Sequence, residues 1–192
     1  MAIAEIDIVT GYPSVGKSHV TAELGRQLGR RSFSFETLYG LPYGEQPAKD
    51  MMDERREAAL LVARHAMRSG AERPIIIDGV CDLETYEALD AIAPTRLIAV
   101  IARRRTYRKR YLADHGSHLV EPGATLFDLD DSVTLADHLG QEQLFARANA
   151  RLFNDTDGPV LGMGRLVEAL QASRGRLPTG HNIMAFGPYR GD

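Results

Sequence analysis

IDIVTGYPSVGKS, Ile6 to Ser18, is the stretch on which the fold turns. The run from Ile3 to Thr10 reads as a strand, and Ser18 to Leu28 reads as a helix with Val20, Leu24 and Leu28 four residues apart on one face. Between them, Gly11 to Ser18 fits GxxxxGK[ST] at every fixed position. The chemistry needs these residue types. Backbone N–H groups must curl round phosphate oxygens, and glycine lets the chain approach closely. The helix that opens near Gly16 adds the positive end of its dipole. Lys17 offers a point charge to the β- and γ-phosphates, and Ser18 offers a hydroxyl to Mg²⁺. Gly11, Tyr12, Pro13, Ser14, Val15, Gly16, Lys17, Ser18 and the following His19 are therefore the expected nucleotide contacts, with ATP and Mg²⁺ as cofactors. His19 otherwise occupies an ordinary helix position.

Working outward, strands and helices alternate. Ser32 to Phe35 reads as a short second strand, followed by the turn-rich TLYGLPYGEQP and a helix from Met51 to Arg68. Pro74 to Ile77 and Leu97 to Ala102 are apolar runs of the kind that strands buried on both faces show. Leu83 to Ile92 is an expected helix between them. A polar excursion runs from Arg103 to Gly140. Gln141 to Leu152 then reads as a helix, Arg151 to Phe153 as the start of a last strand, and Met163 to Leu170 as a closing helix. From Ser173 onward recurrent Gly and Pro predict a loosely packed tail. This order defines an α/β domain with a parallel sheet covered on both sides. Asp78, ending the run IIID, is the expected acid of the Mg²⁺ shell, acting through a metal-bound water or the acceptor hydroxyl.

The chain has 192 residues and a formal net charge of −3, which suits one domain without a global basic field for nucleic acid. A single cysteine, Cys81, excludes an intramolecular disulfide framework and a CxxC site, and fits a reducing cytosol. Glu5 and Asp7 interrupt the first apolar run and no basic n-region precedes it, so this start reads as a strand rather than a signal peptide. No stretch reaches 18 uninterrupted apolar residues, so no membrane partner is expected. The expected location is the cytoplasm.

The even charge balance hides a cluster: Arg103, Arg104, Arg105, Arg108, Lys109 and Arg110. On a helix, Arg103, Tyr107 and Arg110 lie near one face and Arg104 and Arg108 on another, so all six cannot face one ligand. The cluster can be a solvated basic face, a nucleic-acid or partner patch of an ATP-dependent regulatory module, or a phosphate clamp. Guanidinium forks suit the charge of phosphoryl transfer, and the C-terminal end of an α/β strand is where such folds place ligands. The clamp reading makes Lys17, Asp78, Arg105, Arg108 and Arg110 the candidate catalytic residues.

The phosphate loop, the segment IIIDGVCDLETYEAL, the run RLIAVIA with its Arg-rich helix, and the closing NARLFNDTDGPVLGMGRLVEAL together resemble the small P-loop kinases that include nucleoside monophosphate kinases and dephospho-coenzyme A kinases. The resemblance covers most of residues 5 to 170 and is closest to an adenylate-kinase-like subgroup, from which this chain diverges. It implies a three-layer α/β/α P-loop NTPase fold with a parallel five-stranded sheet of order 2-3-1-4-5. Residues 1–172 would form the kinase domain and 173–192 a tail. Thr106 to Gly140 would be an inserted lid, Phe35 to about Met67 the acceptor-binding region, and Asn154 the terminal-strand Asn. The implied activity is transfer of the γ-phosphoryl of ATP to a small nucleotide or nucleoside-like acceptor, in nucleotide metabolism. Glu36 stands where dephospho-coenzyme A kinases usually carry Asp, and it is a candidate acceptor-binding residue with Arg147. The lid pair Asp130-Asp131 lacks the flanking arginine of some adenylate kinases. Asp114, His115 and His118 read as solvated lid residues rather than as a metal site.

Overall fold

The computed structural model describes residues 5–34, 49–68, 74–116, 126–155, 160, 162–172 and 183–185. Six strands, β1 (Ile6–Thr10), β2 (Ser32–Ser34), β3 (Ile75–Asp78), β4 (Thr95–Ile101), β5 (Ala150–Phe153) and β6 (Ile183–Ala185), form one sheet of order β2-β3-β1-β4-β5-β6. Every neighbouring pair is parallel. The helices are α1 (Lys17–Leu28), α2 (Lys49–Arg68), α3 (Leu83–Ile92), α4 (Arg104–Gly116), α5 (Leu126–His138), α6 (Gln141–Arg147) and α7 (Met163–Ala172). The expected 2-3-1-4-5 order is therefore observed. The sixth strand is new, because Ile183–Ala185 of the expected loose tail pairs with β5 from Ala150 to Leu152.

Continuous apolar strands bury both faces, as the runs IIID and TRLIAVI require. On one face Val9, Ile76, Ile98, Val100 and Leu152 pack with Val20 and Leu24 of α1 and Leu166 and Leu170 of α7. On the other, Ile6, Ile8, Ile77 and Leu97 pack with Ala59 and Ala63 of α2, Leu89 of α3 and Leu144 of α6. Alternation along β1 thus sends Ile6, Ile8 and Thr10 to the α2/α3/α6 face, and Asp7 and Val9 to the α1/α7 face. The helices after β4 are rooted in the first core through Tyr107, Tyr111 and Leu129.

One boundary departs from the sequence reading for an identifiable reason. The helix expected to reach Leu152 stops at Arg147. The Asn149 N–H donates to the Leu97 carbonyl, and the Leu97 N–H donates to Asn149 Oδ1, both at 2.8 Å. These bonds draw the chain into the sheet, and pairing with β4 overrides helical spacing. The Phe35 end of β2 and most of the segment to Met51 lie outside the described residues.

Asp7 does more than interrupt an apolar run. It is fully buried and accepts from Arg96 Nε at 2.6 Å and from Arg30 Nη1. Arg96, itself buried, also reaches Glu5 Oε2 at 3.3 Å and donates to the Leu170 carbonyl at 3.1 Å. One buried charge network therefore fastens β1, β4, the end of α1 and α7. Asp7→Ala leaves two guanidinium groups without their shared carboxylate. We expect it to lower unfolding free energy by about 3–5 kcal/mol, read from urea denaturation. A loss under about 1 kcal/mol would show the network to be dispensable.

Candidate functional site

The turn between β1 and α1 is shaped by close approach. A Cβ on Gly11 would sit 2.5 Å from the Val100 carbonyl oxygen and 2.9 Å from Val15 Cγ2. Gly16 has φ 90°, and a Cβ there would collide with Asn154 Nδ2. Glycine is required at both positions by contact, and at Gly16 also by conformation. Ser14 adopts a left-handed φ of 57°, which curls the loop back over the strand end.

Gly16 is the N-cap of α1 and has no side chain with which to cap it, and the first turn carries no acidic residue. The initial N–H groups and the positive dipole end of this 12-residue helix are thus presented at the loop. The buried Ser14 Oγ has no hydrogen-bond partner among the described residues. Lys17 Nζ donates to the Tyr12 carbonyl at 2.9 Å, lying across the mouth of the loop. Ser18 and His19 follow on the exposed side of α1. A cradle of donors with a lysine and few carboxylates fits a polyphosphate.

The loop is held from outside through Val15. Its carbonyl accepts from Asn154 Nδ2 at 2.8 Å and from Arg110 Nη1 at 3.3 Å, and Arg110 also donates to the Asn154 carbonyl at 2.9 Å. Asn154, just past β5, is buried, and its N–H continues the ladder to the Ile101 carbonyl. Tyr12 is fixed separately. Its hydroxyl donates to Asp137 Oδ1 of α5 at 2.5 Å, and its ring meets Phe145 of α6 edge-on at 5.1 Å. Burial, then the Asp137 contact, pushes the Tyr12 hydroxyl well above its ordinary range, so it stays a donor at any working pH.

Asp78 ends β3 in register with Val9, and the Gly79 N–H donates to the Val9 carbonyl at 3.1 Å. It is buried, and it shares with Ile76 the face that α1 covers. Strand order therefore places this carboxylate beside the strand that carries the loop. Ser18 and Asp78 are hard oxygen donors suited to Mg²⁺, which takes few protein ligands beside phosphates and water. Among the described residues no cluster of three or more His, Cys, Asp or Glu could hold a metal alone.

The arginine cluster does not converge on the loop. Arg110 reaches it, but as a clasp on carbonyls. Arg104 and Arg108 lie on Asp130 of α5 at 3.1 and 3.8 Å, and Arg103 pairs with Asp155 at 3.1 Å. Arg105 is exposed. Arg147 is bound to Glu87 of α3 at 2.8 Å on the surface. It links α6 to α3 there. Glu36, His118 and the side chains of Asp114, His115 and Asp131 lie outside the described residues. Sequence reading missed the partners Asp137 and Gln141. An aromatic residue inside the loop was the available signal for Asp137, since a buried tyrosine hydroxyl needs an acceptor.

No protein-family model and no curated protein matches the sequence. Solved structures do match the fold. A gluconokinase from Sinorhizobium meliloti 1021 aligns at TM-score 0.58 and 16% identity, over 90% of this chain and 99% of that one. A shikimate kinase from Bacteroides thetaiotaomicron aligns at TM-score 0.56 and 15% identity, over 88% and 97%. An uncharacterized protein from Eubacterium ventriosum ATCC 27560 aligns at TM-score 0.59 and 15% identity, over 88% and 99%. The fold is one that small-molecule kinases use, and this chain carries the sequence GYPSVGKS, Gly11 to Ser18, between β1 and α1. No helix among the described residues is long and apolar enough to cross a membrane.

Gly16→Ala tests the loop geometry. The variant is expected to keep its far-ultraviolet circular dichroism and to bind Mg-ATP at least about tenfold more weakly, a change of about 1.4 kcal/mol by calorimetry. Unchanged affinity would mean that nucleotide does not enter this cradle.

Proposed function

We propose that the chain is a Mg²⁺-dependent phosphotransferase that moves the γ-phosphoryl group of ATP to a small-molecule acceptor. The observation that carries this reading is the uncapped start of α1 behind a glycine-shaped loop, with Lys17 across its mouth and Asp78 on the adjacent strand. Loop N–H groups and Ser14 hold the donor phosphates. Lys17 leaves the Tyr12 carbonyl and follows charge onto the transferring group. Ser18 and Asp78 hold Mg²⁺, which supplies charge neutralisation at the phosphates when bound. Arg110 acts here as a positioning residue, since its guanidinium is committed to two carbonyls. Arg105 and Arg108 are left as the candidates to meet phosphate when α4 and α5 move. Closure of those helices excludes water, the competing acceptor.

The acceptor offers an oxygen nucleophile. The sequence resemblance supports a nucleotide, whereas two of the structural neighbours are a gluconokinase and a shikimate kinase. A nucleic-acid or regulatory role for the arginines has less support, because Arg103, Arg104 and Arg110 already have protein acceptors.

The test is ADP release from Mg-ATP with nucleoside monophosphates, dephospho-coenzyme A, D-gluconate and shikimate supplied singly. One class should raise turnover well above hydrolysis, and Lys17→Ala should remove at least about 10²-fold of that rate, on the scale of one lost charge-stabilising group. Turnover indifferent to every acceptor, or to Lys17→Ala, would contradict the assignment.

A further inference from the structure

Gln141, the first residue of α6, lies where the chain returns from α5 to the core. It is fully buried, and Nε2 donates to Thr10 Oγ1 at 2.9 Å. Thr10 Oγ1 in turn donates to the Val80 carbonyl at 2.6 Å. This chain fixes the amide orientation. A carbonyl oxygen only accepts, so the single Thr10 proton goes to Val80. Gln141 must therefore present its NH₂ to Thr10. Flipping the amide would set two acceptors against each other. Gln141 Oε1 is left buried, with no hydrogen-bond partner among the described residues. Such an oxygen costs about 1–3 kcal/mol unless something donates to it.

Its place in the fold says what that donor is. Thr10 is the last residue of β1 and Val80 follows Asp78 by two, so Gln141 stands at the C-terminal edge of β1 and β3, where α/β sheets bind ligands. It lies on the α2/α3/α6 face, whereas Asp78 and α1 occupy the other. The turn before it closes on α3, where the Leu83 N–H donates to the Leu139 carbonyl at 3.1 Å and a Cβ on Gly140 would lie 3.0 Å from Leu83 Cβ. With the donor nucleotide assigned to the loop and α1, Gln141 stands on the opposite side of this strand edge. That side is left for the acceptor.

We infer that Gln141 is a specificity-determining residue of the acceptor site, whose Oε1 takes a hydrogen bond from a neutral donor group, a hydroxyl or amine, of the acceptor molecule. This rests on the phosphotransferase reading. An amide oxygen repels carboxylate and phosphate oxygens, so the contacted part of the acceptor is not its anionic group. A site that hydrogen-bonds a substrate hydroxyl rejects analogues lacking it far more strongly than an apolar wall would. Sugar-acid hydroxyls and the exocyclic amine of a nucleobase satisfy the same oxygen, and the probes separate them.

Wild type, Gln141→Met and Thr10→Val are melted with Mg-ADP and each of D-gluconate, shikimate, adenosine monophosphate and cytidine monophosphate, and ADP release from Mg-ATP is measured with the same four. Gln141→Met removes both the internal bond and the free oxygen, while Thr10→Val removes only the internal bond. The expected result is a compound that stabilises wild type and Thr10→Val, whose KM rises at least about tenfold in Gln141→Met while the KM for ATP stays within about twofold. Should the Met variant not fold, Gln141→Asn, which withdraws the oxygen by one methylene, gives the same readout. A response from the two hydroxy acids alone assigns a hydroxyl, and one from the nucleotides alone assigns the base amine. Equal behaviour of wild type and Gln141→Met across the panel, including no response from either, overturns the inference. So does a parallel loss in Thr10→Val, which marks a structural bond. A compound that stabilises wild type but not Gln141→Met and is never phosphorylated keeps the site and contradicts the phosphotransferase reading instead.

Discussion

The carbonyl oxygen of Val15 is the point at which the site is assembled. Three pieces of chain meet there: the loop after β1, Asn154 at the end of β5, and Arg110 of the helix after β4. A glycine-shaped loop has little stiffness of its own, so its N–H groups become a fixed anion cradle only when its carbonyls are held elsewhere. Asn154 and Arg110 hold the Val15 carbonyl. The same contact explains Gly16, because the Asn154 amide occupies the space a side chain would need. Tyr12 adds a second tie, so both ends of the loop report to the helices that follow β4.

Deeper in the sheet, the two faces have different work. The α1/α7 face carries the buried Asp7–Arg96–Arg30 network, which fixes the strand and helix on either side of the loop. The opposite face is apolar up to its edge and then turns polar at Thr10 and Gln141. The charges of that network, with Glu5, are paired with one another and serve rigidity. The polar edge of the second leaves Gln141 Oε1 without a hydrogen-bond partner among the described residues.

Much of this was legible in the chain. The loop motif has four fixed positions between an apolar strand and an amphipathic helix, and those positions depend on local backbone needs that sequence records directly. Buried parallel strands leave continuous apolar runs, so β1, β3 and β4 were legible, while their order was implied by the family resemblance. What was not legible depends on partners distant in sequence. Asp7 looked like an interruption because Arg96 is 89 residues away. The end of α6 was set by the Asn149 contact with β4, not by local periodicity. A cluster such as Arg103 to Arg110 shows charge but not direction, and only the fold distributes it among Asp155, Asp130 and the loop. Ile183–Ala185, short and set among Gly and Pro, carries too little signal to be read as a strand without its neighbour.

On the proposed function, the loop at β1 delivers the γ-phosphoryl group to a second small molecule rather than to water. Phosphorus-31 NMR of Mg-ATP with the protein and a mixture of hydroxylated metabolites follows that phosphorus directly. The account predicts loss of the γ-signal matched by a new phosphoester or phosphoanhydride resonance, with little inorganic phosphate. Inorganic phosphate alone, appearing at the same rate with and without the mixture, would contradict it.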